Sequence, residues 1–200
     1  LQMSEGAIPW DWNVANHARV IDFYKEVIAS DKGTPKAPLP YMYLIDNLIA
    51  DHRTAEATHY LEIYATLPAA RPFMIPVYRA HIALAEYDLP KADAIMAEAE
   101  GYFGQDCGFM FETAQYHARK GDYQKAIAYY EASWEKDTER PRYTDALDAI
   151  CIIYEIMCDR ENALCAYDRL INCLTEEWGY GKDDAPVLEA QKRKQEILQK

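Results

Sequence analysis

The sequence predicts an all-α fold of antiparallel helix pairs stacked in an array, with one capping helix at each end. Three observations predict it. The 200 residues include only eight glycines and three serines, and the alternating β-branched runs that mark strands are absent. Apolar residues recur instead at spacings of three, four and seven, the period of a helix face. From residue 41 onward the apolar segments come in pairs, divided by short breaks.

The first element is "NVANHARVIDFYKEVIA". There Val14, Ala18, Ile21 and Ile28 form a stripe that Val20, Phe23, Tyr24 and Val27 widen, so a helix over 13–30 is expected to be covered on much of its surface. Gly33, Pro35, Pro38 and Pro40 in "SDKGTPKAPLP" make helical continuation costly. Helices then follow over 41–50 and 54–66, 73–86 and 90–101, 108–120 and 123–137, and 143–158 and 160–176. Pro90 fits a first turn, where its missing N–H does no harm. After "GYGKDDAP" a last helix spans 186–199, capped by Asp183 or Asp184 and opened by Pro186. Its "QKRKQE" is expected to face outward, with Leu188, Ile197 and Leu198 inward. The whole of 1–200 is expected to form one domain, with repeats over 41–176 and caps over 13–30 and 186–199. The first helix can also be read as the second half of a truncated unit.

Composition narrows the function classes. Half the residues are apolar, enough for a folded core, and 33 acidic against 21 basic residues give a formal charge of −12. That field opposes phosphate backbones and anionic lipid, so direct nucleic-acid binding by this segment is not expected. The one compact basic run, Lys192-Arg193-Lys194, reads as a solvated helix face. No apolar run approaches the roughly 18 residues of a membrane span, and "LQMSEGAIPW" has no secretory pattern. A cytoplasmic protein with reduced cysteines is expected. The chain opens on Leu1 rather than Met, which leaves room for upstream sequence.

The repeat is clearest in "RKGDYQKAIAYYEASWEKD", residues 119–137. A helix ends at Gly121, Asp122 and Tyr123 form a turn, and Ala126 sits four residues before Tyr130, with Ser133 a turn later. The pattern returns as Ala92–Met96 and Ala163–Tyr167, at intervals of 34 and 37 residues, and "TERPRYT" can absorb the extra three. A first unit places Ala57 before Leu61, with Ala55 as the competing register. Two helices that cross closely need a small residue at the contact, and the larger residue fills the wedge toward the next unit.

These residues resemble the tetratricopeptide repeat, a helix–turn–helix unit of about 34 residues. The chain departs from that pattern in its first helices. Pro76, Met110 and Leu147 stand where the family has Trp, Thr113-Ala114 and Ile150-Cys151 replace Leu-Gly, and only Tyr154 keeps the first-helix Tyr. The resemblance implies a right-handed superhelical α-solenoid of about four repeats, with the first helices lining a concave groove. It implies groove residues Asp46 or Asn47, then Tyr78, His81 and Ala85, then Phe111, Gln115 and Arg119, then Asp148, Ile152 and Glu155. It also implies peptide or protein binding without catalysis or cofactor, with a second copy of the chain as a further candidate partner. The segment "ALCAYDRLINCLTEEWG" with the final helix is similar to the end of helical sensor domains in bacterial transcriptional regulators. These include the bacterial transcriptional activator domain and Gram-positive helix-turn-helix regulators, whose DNA-binding module is N-terminal. A stand-alone scaffold or adaptor is the alternative.

Cys151, Cys158, Cys165 and Cys173 are spaced by seven, seven and eight. No pair has the two-to-four-residue separation usual in structural zinc sites. Seven residues of helix separate two thiols by about 10 Å, too far for a disulfide between Cys151 and Cys158. We read them as packing residues, Cys151 near Ala163 and Cys158 at the turn that Gly121 makes one unit earlier. A redox-sensing thiol and a metal ligand are the alternatives. His81 and Glu86 are five apart and diverge around the helix, "HIALAE" is not HExxH, and "GYFGQDCG" reads as a turn rather than a phosphate loop. His81 is expected in the groove or on the surface, and His52 and His59 on the surface or as satisfied core residues. No catalytic or metal site is assigned.

Overall fold

The computed structural model describes residues 14–30 and 37–199, with side chains from His17 onward. Every regular element among them is helical: α1 (Val14–Ser30), α2 (Pro38–Ala50), α3 (Thr54–Ala65), α4 (Met74–Ala85), α5 (Leu89–Phe103), α6 (Cys107–Arg119), α7 (Tyr123–Lys136), α8 (Asp145–Ile156), α9 (Arg160–Asn172) and α10 (Ala185–Gln199). A five-residue π-helical turn, Cys173–Glu177, continues α9. The expected helix pairs are all present, as hairpins α2–α3, α4–α5, α6–α7 and α8–α9. The chain divides into two compact units, Leu1–Gly104 and Gln105–Lys200. The side chain of Val14, and Gly33 and Pro35, lie outside the described residues.

The first unit packs α1 on α2, then the hairpins α2–α3 and α4–α5. Pro38 and Pro40, expected to precede α2, instead form its first turn. There the backbone N–H groups have no helical partner to lose, so proline is harmless. Helix α1 buries Ile21 completely, stacks Tyr24 on Tyr43 at 5.3 Å and ties Lys25 to Glu56 at 2.7 Å. The broad cover expected for it is not found, since Ala18 is exposed and Phe23 is 58% exposed. The second unit packs α6 on α7, α7 on α8, α8 on α9, and α9 on α10. Between α7 and α8, Arg142 lies over the Trp134 ring at 3.9 Å and pairs with Glu177, while the Trp178 indole N–H donates to the Arg142 carbonyl at 2.7 Å. The loop 137–144, which holds the extra residues of that repeat, is pinned on both sides.

The hairpin turns reveal the register. His52, Tyr87, Gly121 and Cys158 all have positive φ, between 55° and 78°, at intervals of 35, 34 and 37 residues. Each sits one residue past the helix's last carbonyl-capping position, and the next residue closes the turn. Arg53, Asp88, Asp122 and Asp159 donate their backbone N–H to the carbonyls of Leu48, Ala83, His117 and Tyr154 at 2.8–2.9 Å. This is the Schellman motif, which favours glycine because a left-handed residue with a Cβ is strained. Only the third turn has it.

Five residues beyond each turn stand Ala57, Ala92, Ala126 and Ala163, all at most 1% exposed. The first register is therefore set by Ala57, whereas Ala55 is exposed. Twelve residues before each alanine, on the first helix, are Ile45, Ala80, Ala114 and Cys151, every one fully buried. Burial pushes the Cys151 thiol well above its ordinary range, so it remains a protonated packing group. Cys158 differs from the sequence reading. It takes the turn position of Gly121, but its side chain is exposed, as is that of Cys165.

Two substitutions test the turn chemistry. Cys158→Gly is expected to raise stability by about 0.5–1 kcal/mol, the relief of a left-handed side chain less glycine's extra unfolded-state entropy. Gly121→Ala is expected to lower it by about 1 kcal/mol. A Cβ at Gly121 would meet no atom within 4 Å, so that loss is conformational alone. Denaturant titration of both variants should give opposite signs.

Candidate functional site

The residues expected to line a groove separate into those that present surface and those that do not. In the first unit Asn47, Tyr78 and His81 are at most 4% exposed. Asn47 donates its side-chain N–H to the Tyr43 carbonyl one turn back at 2.8 Å. The Tyr78 hydroxyl reaches from α4 to α2, 3.4 Å from both the Asp46 carboxylate and the Met42 carbonyl, and its ring meets Tyr64 edge-on at 6.2 Å. Tyr78 thus joins consecutive hairpins, and all three residues offer a ligand almost no side-chain surface. Asp46 and Ala85 remain half-buried.

In the second unit Phe111, Gln115 and Arg119 are all half-buried. Their spacing of four puts them on one side of α6, while Phe109, Met110, Thr113, Ala114, Tyr116 and Ala118 are buried. Phe111 meets the edge of the Tyr130 ring at 5.3 Å. On α8, Ile152 is 4% exposed and joins the core, whereas Asp148 and Glu155 are half-buried. Burial holds the Asp148 carboxyl above its ordinary range; Arg193 pulls it down, and Asp145, Glu155 and Glu189 push it up. Asp145 is likewise raised by burial.

The sequence reading missed Arg193. It had been placed on an outward basic face, yet it turns toward α8. One guanidinium nitrogen is 3.8 Å from Asp148 and another is 3.1 Å from Glu155, and the group lies 5.7 Å from the Tyr167 ring centroid. Tyr167 in turn donates to Glu155 at 2.5 Å. The inward face of α10 is Val187, Ala190 and Ile197, while Leu188 and Leu198, expected inward, are 47% and 44% exposed. The signal was present in the sequence. Positions 187, 190 and 197 lie on one helical stripe, and Arg193 and Lys194 fall in its gap. The end of α10 is not capped by an Asp side chain either. Asp184 turns its carboxylate back to the Gly181 N–H at 2.7 Å, and its backbone carbonyl receives the N–H groups of Val187 and Leu188.

His52 and His59 are exposed, and the Nδ1 of His52 is 3.3 Å from the Ala85 carbonyl. Among the described residues no group of three or more His, Cys, Asp or Glu side chains has metal-binding geometry, and no helix is long and apolar enough to cross a membrane.

No family model and no characterised relative matches the chain. Among solved structures the chain is similar to YrrB, described as a TPR protein with an unusual peptide-binding site. Identity is 19% over 90% of this chain and 85% of that one, with a TM-score of 0.48. The repeat assignment rests on this chain's own turns, alanines and hairpins.

Proposed function

We propose that the chain is a non-enzymatic peptide- or protein-binding module of the tetratricopeptide type, and that the first helices supply its contact surface. The observation that carries this is on α6. Phe111, Gln115 and Arg119 form a half-exposed row of one aromatic, one amide and one cation along one side of α6. Such a row can grip an extended or helical segment by ring contact and by hydrogen bonds to its main chain. Asp148 and Glu155 add carboxylates on α8, and Asp46 and Ala85 are the corresponding candidates in the first unit. The proposal assigns no contact to Asn47, Tyr78, His81 or Ile152. In its finer form, the module is the interaction region of a bacterial, cytoplasmic transcriptional regulator whose DNA-binding part is encoded upstream of Leu1. The stretch "ALCAYDRLINCLTEEWG" supports that form, and a helix-turn-helix module in the upstream reading frame would test it; without one the chain is read as an adaptor.

The direct test is selection of a displayed random-peptide library on the full chain, followed by affinity measurement against Gln115→Ala/Arg119→Glu. Loss of about tenfold or more in affinity, with the helical circular dichroism retained, is expected for a row that makes charge-assisted contacts. Unchanged affinity would place the binding surface elsewhere.

A further inference from the structure

Building on the binding-module proposal, we propose that α10 is a displaceable occupant of the α8–α9 face, and that the partner of this face is an amphipathic helix with an Arg-Lys pair that takes its place. The apolar hold of α10 is small, with only Val187, Ala190 and Ile197 buried. Charge makes up much of the rest. Arg193 spans Asp148 and Glu155, Lys194 meets Asp168 at 2.5 Å, and the Arg160 guanidinium donates to the Leu198 carbonyl at 2.8 Å. The Lys194 pair lies near the surface, where salt and competing cations weaken it, while the Arg193 pairs are half-buried and are screened less.

The seat is also larger than its occupant. A cleft of about 320 Å³ remains beside Ile197, with Glu155 and Cys158 in its wall. Without Arg193, the face would hold two half-buried carboxylates next to the Tyr167 ring, with a tyrosine hydroxyl already donating to one of them. A guanidinium satisfies that arrangement, since it can bridge two carboxylates and lie against a ring at once. The sequence of α10 then describes the partner's chemistry. It is a helix with an apolar residue, a small residue three later, Arg-Lys three and four beyond that, and an aliphatic residue after another turn.

The probe is a labelled synthetic peptide of residues 184–199, titrated against the full chain and against the full-length variant Arg193→Glu/Lys194→Glu. The variant frees the seat, so it is expected to bind the peptide about tenfold or more tightly than the wild type, in proportion to the open population gained. A peptide carrying Arg193→Ala should bind neither. Equal affinity for the two proteins, or full binding by the altered peptide, would overturn the proposal. Hydrogen exchange on the unmodified chain gives an answer independent of the variant. The α10 amides should exchange well before those of α8 and α9, and faster at raised salt, whereas exchange of α10 together with α8 would show it to be an integral layer. If library-selected peptides bind through α6 while the 184–199 peptide binds neither protein, this proposal fails and the binding-module proposal stands.

Discussion

Ala126→Leu is expected to lower the stability of the chain by about 1–3 kcal/mol, the range for added methylenes in a filled core. Ala126 is 0% exposed and belongs to α7 at its packing with α6. A leucine there must push the two helices apart or take an unfavourable rotamer, because the interior is close-packed and has no room to yield. The same substitution at Ala57, Ala92 and Ala163 should act alike, since all four hold the same repeat position. The contrast lies a few residues away. Ala55 and Ala128 are exposed on the same helices, and leucine there should change stability by less than about 0.5 kcal/mol. Chemical denaturation of the six variants gives the comparison. A destabilising Ala55→Leu beside a neutral Ala57→Leu would move the register of the first unit.

The larger effect is expected at the wedge tyrosines. Tyr130 and Tyr167, four residues after their alanines, are both fully buried, and truncation of either to alanine should cost about 3–5 kcal/mol, as for other large aromatic side chains. Removal of the hydroxyl alone should separate them. The Tyr130 hydroxyl is buried with no hydrogen-bond partner among the described residues, and burial pushes its pKa well above the ordinary phenol range. Tyr130→Phe is therefore expected to be neutral or stabilising by up to about 1 kcal/mol, because an unpaired buried polar group is removed. The Tyr167 hydroxyl donates to Glu155 at 2.5 Å, and Tyr167→Phe should cost about 1–2 kcal/mol as a bond to a charged acceptor is lost. Equal effects at the two positions would contradict the hydrogen bonding described here.

The hairpins and the alanine register were legible because they follow from local sterics. A turn residue, a small residue five later and a wedge four beyond that are set by the crossing of adjacent helices, so short sequence spacing carries them. The exposure of first-helix residues was not legible in this way. Tyr78 is buried because its hydroxyl reaches Asp46, 32 residues earlier, and Asn47 because its own helix supplies an acceptor; the family resemblance places both in the groove without regard to these partners. Cys158 illustrates the opposite case, since a residue type that is usually buried stands at an exposed turn where backbone conformation, not packing, selects the site. Arg193 was read as solvated because its acceptors are distant in sequence, Glu155 being 38 residues away. Hydrophobicity predicts Leu188 and Leu198 inward, yet the helix is rotated so that Val187, Ala190 and Ile197 form its buried side.

The central claim, that the first helices form the binding surface, is tested most directly by hydrogen–deuterium exchange of the full chain with and without a library-selected peptide. Added protection should concentrate in α6 and α8, and should disappear in Gln115→Ala/Arg119→Glu at the same peptide concentration. Protection confined to α7 and α9, or protection that survives in the variant, would contradict the account.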